Sequence, residues 1–278
     1  MLAVVVDDYD MHITHVIRGD DHLTNSFRQA QIYVALGWKL PVFAHMPLLH
    51  GADGAKLSKR HGALGVESYR DMGILPEAMQ NYLLRLGWSH SDDEIISQDQ
   101  AISWFDIKDV GRSAARFDIK RLTSVNAHYI RHANNDRLVE LILPIITKNF
   151  DGKLADQGVN RLKDGMDGLK DRAKNIIELS DNSCFYAISR PLPYSTSAAK
   201  LLDERALFYL TELRDILAQC SAWIQKDLEA VLQNYAKATE TKLGKIAQPL
   251  RAAITGTTVS PSIFEVLEVL GKDEVLGR

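Results

Sequence analysis

Short apolar runs separated by polar turns at the start of the chain predict the strand–turn–helix order of half a βαβ unit. Two runs rich in β-branched residues, 2–6 and 15–19, are each typical of a buried strand. Apolar residues at helical spacing predict a helix over 23–36, with Gly37 at the position that ends it. Segment 41–49 supplies a third extended stretch. The pattern therefore predicts an α/β part at the start of the chain.

Helical spacing predicts a different architecture for the rest of the chain. Pro76 is expected at the first position of a helix that Gly87 ends, and 97–100 have the pattern of a capping box before another helix. Beyond the polar residues 134–136 nearly every segment is helical, with one Pro/Ser-rich joint at 190–198. The inward face of the helix that starts at Pro76 is predicted to carry Met79, Tyr82, Leu83 and Leu86.

Two further helix starts are predicted near the C-terminus. Pro249 is expected to begin a helix whose free N–H groups would favour a phosphate beside Arg251 and two lysines. Ser260, followed by a proline, is expected to cap a helix over 263–270. Basic residues beside apolar ones suit unpaired bases, although ordinary helix packing accounts for most of 263–270.

Length and composition argue against several classes of protein. The 278 residues, 46% hydrophobic and 25% charged, suffice for about two domains with their own cores. A net charge of -3 gives no overall basic footprint, so nucleic-acid contact would need local basic patches. Two distant cysteines indicate neither a disulfide framework nor a thiolate zinc site. We therefore expect a cytoplasmic protein with no membrane span and no secretory signal.

The basic loop, residues 56–60, carries the strongest candidate chemistry. Two lysines, an arginine and a serine lie within five residues and beside glycines, which is the composition of a loop able to close on a polyphosphate. Lysine ammonium groups that reach a departing pyrophosphate only in the transition state would lower the barrier selectively. The alternative interpretation is a solvated run of surface charges.

Side chains that follow the predicted strands should converge with the basic loop, because open α/β sheets bind ligands beyond the carboxyl ends of their strands. Arg18 could hold a carboxylate in a bidentate fork, and Asp21 or His22 could hydrogen-bond a ribose or an amino group. The alternative is a local ion network among Arg18, Asp20 and Asp21. Scattered histidines and aspartates over 7–15 lack the spacing of a metal site, so no metal, and no zinc, is assigned.

Three motifs together resemble successive signatures of bacterial glutamyl-tRNA synthetase, a class I aminoacyl-tRNA synthetase. They are Val-Ile-Arg-Gly-Asp-Asp-His at 16–22, His-Met-Pro-Leu-Leu-His at 45–50 and Lys-Leu-Ser-Lys-Arg at 56–60. The third resembles that family's form of the KMSKS loop. Three motifs in order and at fitting spacing are far more specific than any one of them alone.

The resemblance implies a role for each motif. Arg18 would bind the α-carboxylate or the side-chain carboxylate of glutamate, and Lys56 and Lys59 would be catalytic residues that act on the triphosphate of ATP. The other residues implied to bind ATP are Ser58, Asp21, His22, Leu48 and Leu49. The corresponding fold is a partial nucleotide-binding, Rossmann-like half over 1–65.

The helical remainder resembles further parts of the same family. By this resemblance 66–134 would form a helical stem-contact region and 135–278 an α-helical anticodon-binding domain. Arg251 and Ile263 would approach anticodon bases, and Arg172 would lie where the family distinguishes the third anticodon base.

The resemblance implies an ATP-dependent ligase that converts glutamate to glutamyl adenylate and transfers it to tRNA(Glu), and it leaves open whether tRNA(Gln) is also charged. ATP with its magnesium is the expected cofactor, and a monomer is the expected state. The family's HIGH-type histidine motif, an ATP-binding element, does not occur in this sequence. The chain is therefore expected to be a C-terminal portion with weak or no activity alone and a mobile basic loop; the alternative is a non-catalytic tRNA-binding module.

Overall fold

The computed structural model describes residues 1–51, 53–57 and 65–278. The chain divides into two compact units. The first comprises Met1–Asp71 and Pro76–Val125, and the second comprises Met72–Leu75 and Asn126–Arg278. The predicted fold class is confirmed, since an α/β start with parallel strands is followed by helices. The domain limits proposed near residues 65 and 134 stay predictions.

The first unit is built around two parallel strand pairs. Strands β1 (His15–Gly19) and β2 (Val42–Met46) pair in parallel, with His15 opposite Val42 and Gly19 opposite Met46. The predicted strand at 15–19 is thereby confirmed, and the predicted extended segment at 41–49 contains β2. The shorter strands are β3 (Leu49–His50) and β4 (Ala115–Arg116), which also run parallel. The helices are α1 (Leu2–Asp10), α2 (Leu23–Ala35), α3 (Val66–Asp71), α4 (Pro76–Gly87), α5 (Gln98–Trp104) and the start of α6 (Ile119–His132).

The prediction of a strand at 2–6 is wrong, because these residues belong to helix α1. Val5 is fully buried, and Tyr9, one helical turn further on, stacks on Trp38 with ring centroids 3.9 Å apart. A helix places these two side chains on one face, whereas a strand does not. The preference of β-branched residues for strands depends on context, and here the packing of this face decides the conformation.

Helix α4 begins at Pro76 and ends at Gly87, as predicted, but its inward face is only partly as expected. Tyr82 is buried, and its hydroxyl accepts a hydrogen bond from the Asp118 backbone N–H at 2.6 Å. Leu83 is instead 47% exposed, while Asn81 is buried. The Asn81 side chain accepts from the Ile96 N–H at 2.6 Å, so a polar residue holds the chain segment that leads into α5.

The second unit is helical, as predicted. Its helices after α6 are α7 (Asn135–Asn149), α8 (Gly158–Asp164), α9 (Met166–Lys170), α10 (Ile176–Ala187), α11 (Thr196–Ala199), α12 (Glu204–Ala218), α13 (Gln225–Ala238), α14 (Leu243–Thr255), α15 (Ile263–Leu270) and α16 (Lys272–Gly277). The Pro/Ser-rich segment 190–198 connects α10 to α11. The core of this unit is made by apolar residues on facing helices, for example Ile142, Leu179 and Val266, which are fully buried.

The predicted helix start at Pro249 is wrong in position. Pro249 lies inside α14, which begins at Leu243, so the free N–H groups of this helix are not at the proline. Buried Ile246 and Leu250 flank Pro249, and their packing outweighs the cost of an internal proline. Helix α15 spans 263–270 as predicted, but its N-cap residue is Ser262 rather than Ser260.

Buried Asn126 connects three backbone segments of the second unit. Its Oδ1 accepts from the Leu75 N–H at 2.8 Å. Its Nδ2 donates to the Lys174 carbonyl at 2.8 Å and to the Gly73 carbonyl at 3.2 Å. Since the side chain is fully buried, these bonds satisfy polar groups that water does not reach.

Candidate functional sites

Arg18, near the end of β1, is held by neutral partners. Its Nη2 donates to Ser26 Oγ at 2.7 Å and to Gln29 Oε1 at 2.8 Å, and both acceptors are buried on α2. The guanidinium also lies over the Phe43 ring, 5.6 Å from its centroid. Within the described ranges no carboxylate lies at ion-pair distance from Arg18, so the alternative of an ion network with Asp20 and Asp21 is not what forms. The arginine is therefore fixed in place with its charge left for an anion.

Asp21 and Lys56 meet at the carboxyl end of β1 although they are 35 residues apart in the sequence. Lys56 Nζ lies 2.5 Å from Asp21 Oδ2, and His22 Nε2 lies 3.9 Å from the same oxygen. A Cβ at Gly19 would come within 2.6 Å of the Asp21 carboxylate and 3.2 Å of Leu48, so glycine allows both side chains to approach. The structure thus brings together four of the predicted site residues: Asp21, His22, Leu48 and Lys56.

Lys56 is placed by a tight turn. The Gly51 N–H donates to the Ala55 carbonyl at 2.9 Å, and the Leu57 N–H donates to the Leu49 carbonyl at 2.8 Å. These bonds set the start of the basic loop against β3. Ser58, Lys59 and Arg60 lie outside the described residues, as does the part of the loop for which mobility was predicted.

Leu49 lies on another side of the strands from Arg18. It lines a cavity of about 440 Å³ together with Ile17, Met46 and Trp88. Because side chains alternate along a strand, Ile17 points away from the face that carries Arg18. Leu48 lies instead against Gly19, as the Asp21 carboxylate does, and the binding of ATP by both Leu48 and Leu49 stays a prediction.

We expect the pKa of Asp21 to report the contact with Lys56. The side-chain hydrogen bond from Lys56 lowers the pKa of this carboxyl below its ordinary value of 3.8, and the nearby His22 contributes in the same direction. In K56Q the pKa should return towards the ordinary value, as measured by NMR titration of the Asp21 carboxyl carbon. Because the folded-state pKa is the lower one, the stabilising effect of the pair is present above pH 3.8 and is lost as the pH falls through the folded-state pKa.

The matched control for this titration is K39Q, which removes an exposed lysine just after α2. The pKa of Asp21 should be the same in K39Q as in the wild type. A K56Q titration curve that overlays the wild-type curve would show that the contact does not persist in solution.

A second candidate site lies in the second unit around Arg251. This arginine is half-buried, and its Nη1 donates to the Ser260 carbonyl at 3.1 Å, to the Pro261 carbonyl at 2.7 Å and to Ser260 Oγ. Burial lowers the pKa of Arg251, and the nearby positive charge of Arg172 lowers it further. Arg172 itself is exposed, in the turn that follows α9. Two predicted tRNA-contacting arginines therefore lie near each other, and neutral oxygens hold Arg251, the more buried of the two.

Ile263 differs from these arginines in its exposure. It is the first residue of α15 and only 4% exposed, so little of its side chain is open to a base. Its predicted contact with the anticodon stays a prediction.

Glu265 is a residue of this site that sequence reasoning missed. Its carboxylate lies against Gly168, and burial raises its pKa, an effect that the positive charge of Arg172 partly offsets. The only local signal was an acidic residue in the first turn of a helix, which is a common and unspecific feature.

The described residues offer neither a metal site nor a membrane span. Across residues 1–51, 53–57 and 65–278, no group of three or more histidine, cysteine, aspartate or glutamate side chains is arranged to hold a metal ion. No helix in the same ranges is both long enough and apolar enough to cross a bilayer.

Comparison with known families gives two matches along the chain. Residues 1–124 match the family described as tRNA synthetases class I (E and Q), catalytic domain. Residues 137–278 match the family described as anticodon binding domain. The chain therefore belongs, by its residues 137–278, to the anticodon-binding-domain family, and its residues 1–124 are similar to the catalytic domain of class I tRNA synthetases for glutamate and glutamine.

Curated relatives and solved structures are consistent with this membership. The chain is 58% identical over 279 residues to glutamate–tRNA ligase 2 of Paramagnetospirillum magneticum and 55% identical over 278 residues to that of Rhodospirillum rubrum. The alignments cover 100% of this chain but 58% and 59% of the relatives. A glutamate–tRNA ligase of Elizabethkingia meningosepticum, whose crystal structure contains its amino acid, matches with a TM-score of 0.81 and 26% identity, over 99% of this chain and 58% of that one.

Proposed function

We propose that this chain supplies the second half of the catalytic domain and the anticodon-binding domain of an ATP-dependent glutamate–tRNA ligase. The observation that carries the proposal is the juxtaposition at the end of β1. Arg18, whose hydrogen-bond partners Ser26 and Gln29 are neutral, and the Asp21–Lys56 pair lie where open α/β sheets bind ligands. The naming of the relatives as glutamate–tRNA ligases supports the choice of amino acid.

In the proposed first reaction, a carboxylate oxygen of glutamate attacks the α-phosphorus of ATP. The bond between the α-phosphorus and the bridging oxygen breaks, and pyrophosphate leaves as glutamyl adenylate forms. Arg18 would orient glutamate by a bidentate contact with one of its carboxylates, and Lys56 with Lys59 would stabilise the negative charge on the leaving pyrophosphate. In the second reaction a terminal ribose hydroxyl of tRNA attacks the acyl carbon, and AMP leaves.

The nucleotide would lie between the strand ends and the basic loop. Asp21 and His22 would face the adenosine, and the main chain at Leu48 and Leu49 would border the adenine. Ser58 would bind the triphosphate, and magnesium would arrive as a complex with ATP. Lys56, which now contacts Asp21, would have to exchange that carboxylate for phosphate oxygens, as exposed ion pairs can do at little cost.

The proposed macromolecular partner is tRNA(Glu), and tRNA(Gln) is the second acceptor to test. Arg172 and Arg251 would contact the anticodon, where unpaired bases offer their edges to arginine. We propose a cytoplasmic protein, because the proposed reaction requires tRNA and ATP, and a monomer, because the resemblance to glutamyl-tRNA synthetase implies one.

A second function is a tRNA-binding module, which the match of residues 137–278 to an anticodon binding domain favours. Such a module would bind tRNA without forming adenylate. Two assays separate the two functions: tRNA binding by the 278-residue chain, and glutamate-dependent ATP–pyrophosphate exchange. The second assay is run on the chain and on a fusion that adds, before Met1, the part of the Paramagnetospirillum magneticum relative that precedes the matched segment.

If the proposed ligase function is right, the 278-residue chain should bind tRNA(Glu), and this binding should weaken as the salt concentration rises. ATP–pyrophosphate exchange should be catalysed by the fusion but not by the 278-residue chain. Exchange that is absent in a folded, tRNA-binding fusion would favour the module without catalysis. Lack of any preference for tRNA(Glu) over an unrelated single-stranded RNA would contradict both functions.

A further inference from the structure

The turn that carries Arg172 is attached to α15 through one carboxylate. Gly168 lies in α9, four residues before Arg172, and the carboxylate of Glu265, in the first turn of α15, lies against it. A Cβ at Gly168 would overlap both oxygens of that carboxylate, so the glycine is what allows the carboxylate to lie against the backbone. Glu265 thus contacts the segment that leads into the Arg172 turn.

Helix α15 also carries the other arginine of this surface. Among the described residues, the turn that leads into it, at Ser260 and Pro261, provides the hydrogen-bond acceptors of Arg251. Arg251 and Arg172 repel each other, because their charges are of the same sign and the oxygens around Arg251 are neutral. Glu265 is the carboxylate that both attracts Arg172 and holds its chain segment.

The neighbouring acids are already engaged or more exposed. Asp167 contacts Lys170 at 2.7 Å and accepts from Asn135 Nδ2 at 3.1 Å. Asp171 is exposed to solvent, where a charge is screened. Glu265 is therefore the acid best placed to control the spacing of the two arginines.

We infer that Glu265, seated on Gly168, is a positioning residue that holds Arg172 beside Arg251 and thereby sets the discrimination of tRNA anticodons. This inference rests on the proposed function, since it assigns the arginine pair to an anticodon. The inferred effect of Glu265 on RNA binding is opposite to that of simple charge repulsion between a carboxylate and RNA. A carboxylate near RNA should weaken binding of every RNA, whereas a positioning carboxylate strengthens binding of the correct one only.

Two independent variants remove the proposed contact. E265Q keeps the size of the side chain that lies against Gly168 but loses the charge that attracts Arg172. G168A keeps the charge but displaces the carboxylate, at the far end of a flexible side chain, and an alanine inside α9 does not disfavour the helix. The matched control is E268Q, which makes the same charge change on the same helix, at an exposed residue that accepts from the Gln225 N–H at 2.9 Å.

The experiment measures the dissociation constants of the 278-residue chain for a tRNA(Glu) transcript and for the same transcript with its third anticodon base changed. In E265Q and in G168A, binding of the first transcript should weaken about fivefold and binding of the second should not weaken. E268Q should bind both as the wild type does. In an R172A background, E265Q should have no further effect, because its action passes through Arg172.

Three results are diagnostic. The inference would be overturned if the ratio of the dissociation constants for the two transcripts were the same in E265Q as in the wild type. It would also be overturned if E265Q weakened binding of the tRNA(Glu) transcript as much in the R172A background as in the wild type. A wild-type chain that binds the two transcripts equally would instead count against the proposed anticodon contact, and the inference would fall with it. Thermal unfolding of each variant, expected to match the wild type, separates positioning from loss of fold.

Discussion

Arg18→Ala in the fusion is expected to raise the KM for glutamate about 100-fold in ATP–pyrophosphate exchange, with little change in the KM for ATP. The physical reason is that Arg18 is held by Ser26 and Gln29, both neutral, so its charge is available to a substrate carboxylate. Removing a charge-assisted contact of this kind costs about 3 kcal/mol. The KM for glutamate of Arg18→Lys should lie between those of the wild type and Arg18→Ala, because lysine keeps the charge but lacks the planar fork.

The matched control is Arg28→Ala. Arg28 lies on α2 like Ser26 and Gln29, but its side chain is exposed. Its removal makes the same change in net charge and should leave the KM for glutamate unaltered. A KM for glutamate in Arg18→Ala that equals that of Arg28→Ala would exclude Arg18 from the amino-acid site.

Asn126→Ala should destabilise the second unit by about 3 kcal/mol. The substitution leaves the N–H of buried Leu75 and the carbonyl of Lys174 without the partner that Asn126 provides. Gly73 is less affected, because its carbonyl also accepts from the Ile176 N–H at 3.0 Å. For a unit of this size the melting temperature should fall by about 6–12 °C, as measured by calorimetry or circular dichroism.

Asn149→Ala is the control for this prediction. Asn149 is exposed at the last position of α7, where alanine is tolerated by the helix, and its replacement should change the melting temperature by less than about 2 °C. Equal melting temperatures for the two variants would show that the three hydrogen bonds of Asn126 do not contribute to stability as described.

Local signals were sufficient for several elements of the fold. The helix that starts at Pro76 and ends at Gly87 follows from the fixed φ of proline and the freedom of glycine. The capping box at Ser97 and Gln100 is present with both of its hydrogen bonds. Such features depend on residues close in sequence, so their physical cause is contained in a short segment.

Other elements depended on partners that are distant in the sequence. The run 2–6 is helical because Val5 and Tyr9 pack on one face, and nothing within the run indicates that neighbour. Pro249 is accommodated inside α14 because the surrounding core fixes the helix. The general lesson is that tertiary packing overrides weak local preferences.

The candidate sites also combine features that the sequence predicted with contacts that it could not predict. The sequence predicted Arg18, Asp21, His22 and Lys56 as members of one site, since strand ends and a basic loop have recognisable patterns. It could not predict that Lys56 contacts Asp21 across 35 positions, or that Glu265 lies on Gly168. Pairings of this kind are set by the final fold, and a single sequence does not encode them in any local motif.

The most direct test of the account is transfer of labelled glutamate to tRNA(Glu) by the fusion, with the Paramagnetospirillum magneticum ligase as positive control. The account predicts glutamyl-tRNA formation that requires ATP, with glutamine a much poorer substrate and with the 278-residue chain alone binding tRNA(Glu) but not charging it. A folded fusion that binds tRNA(Glu) yet transfers no glutamate to it would contradict the central claim.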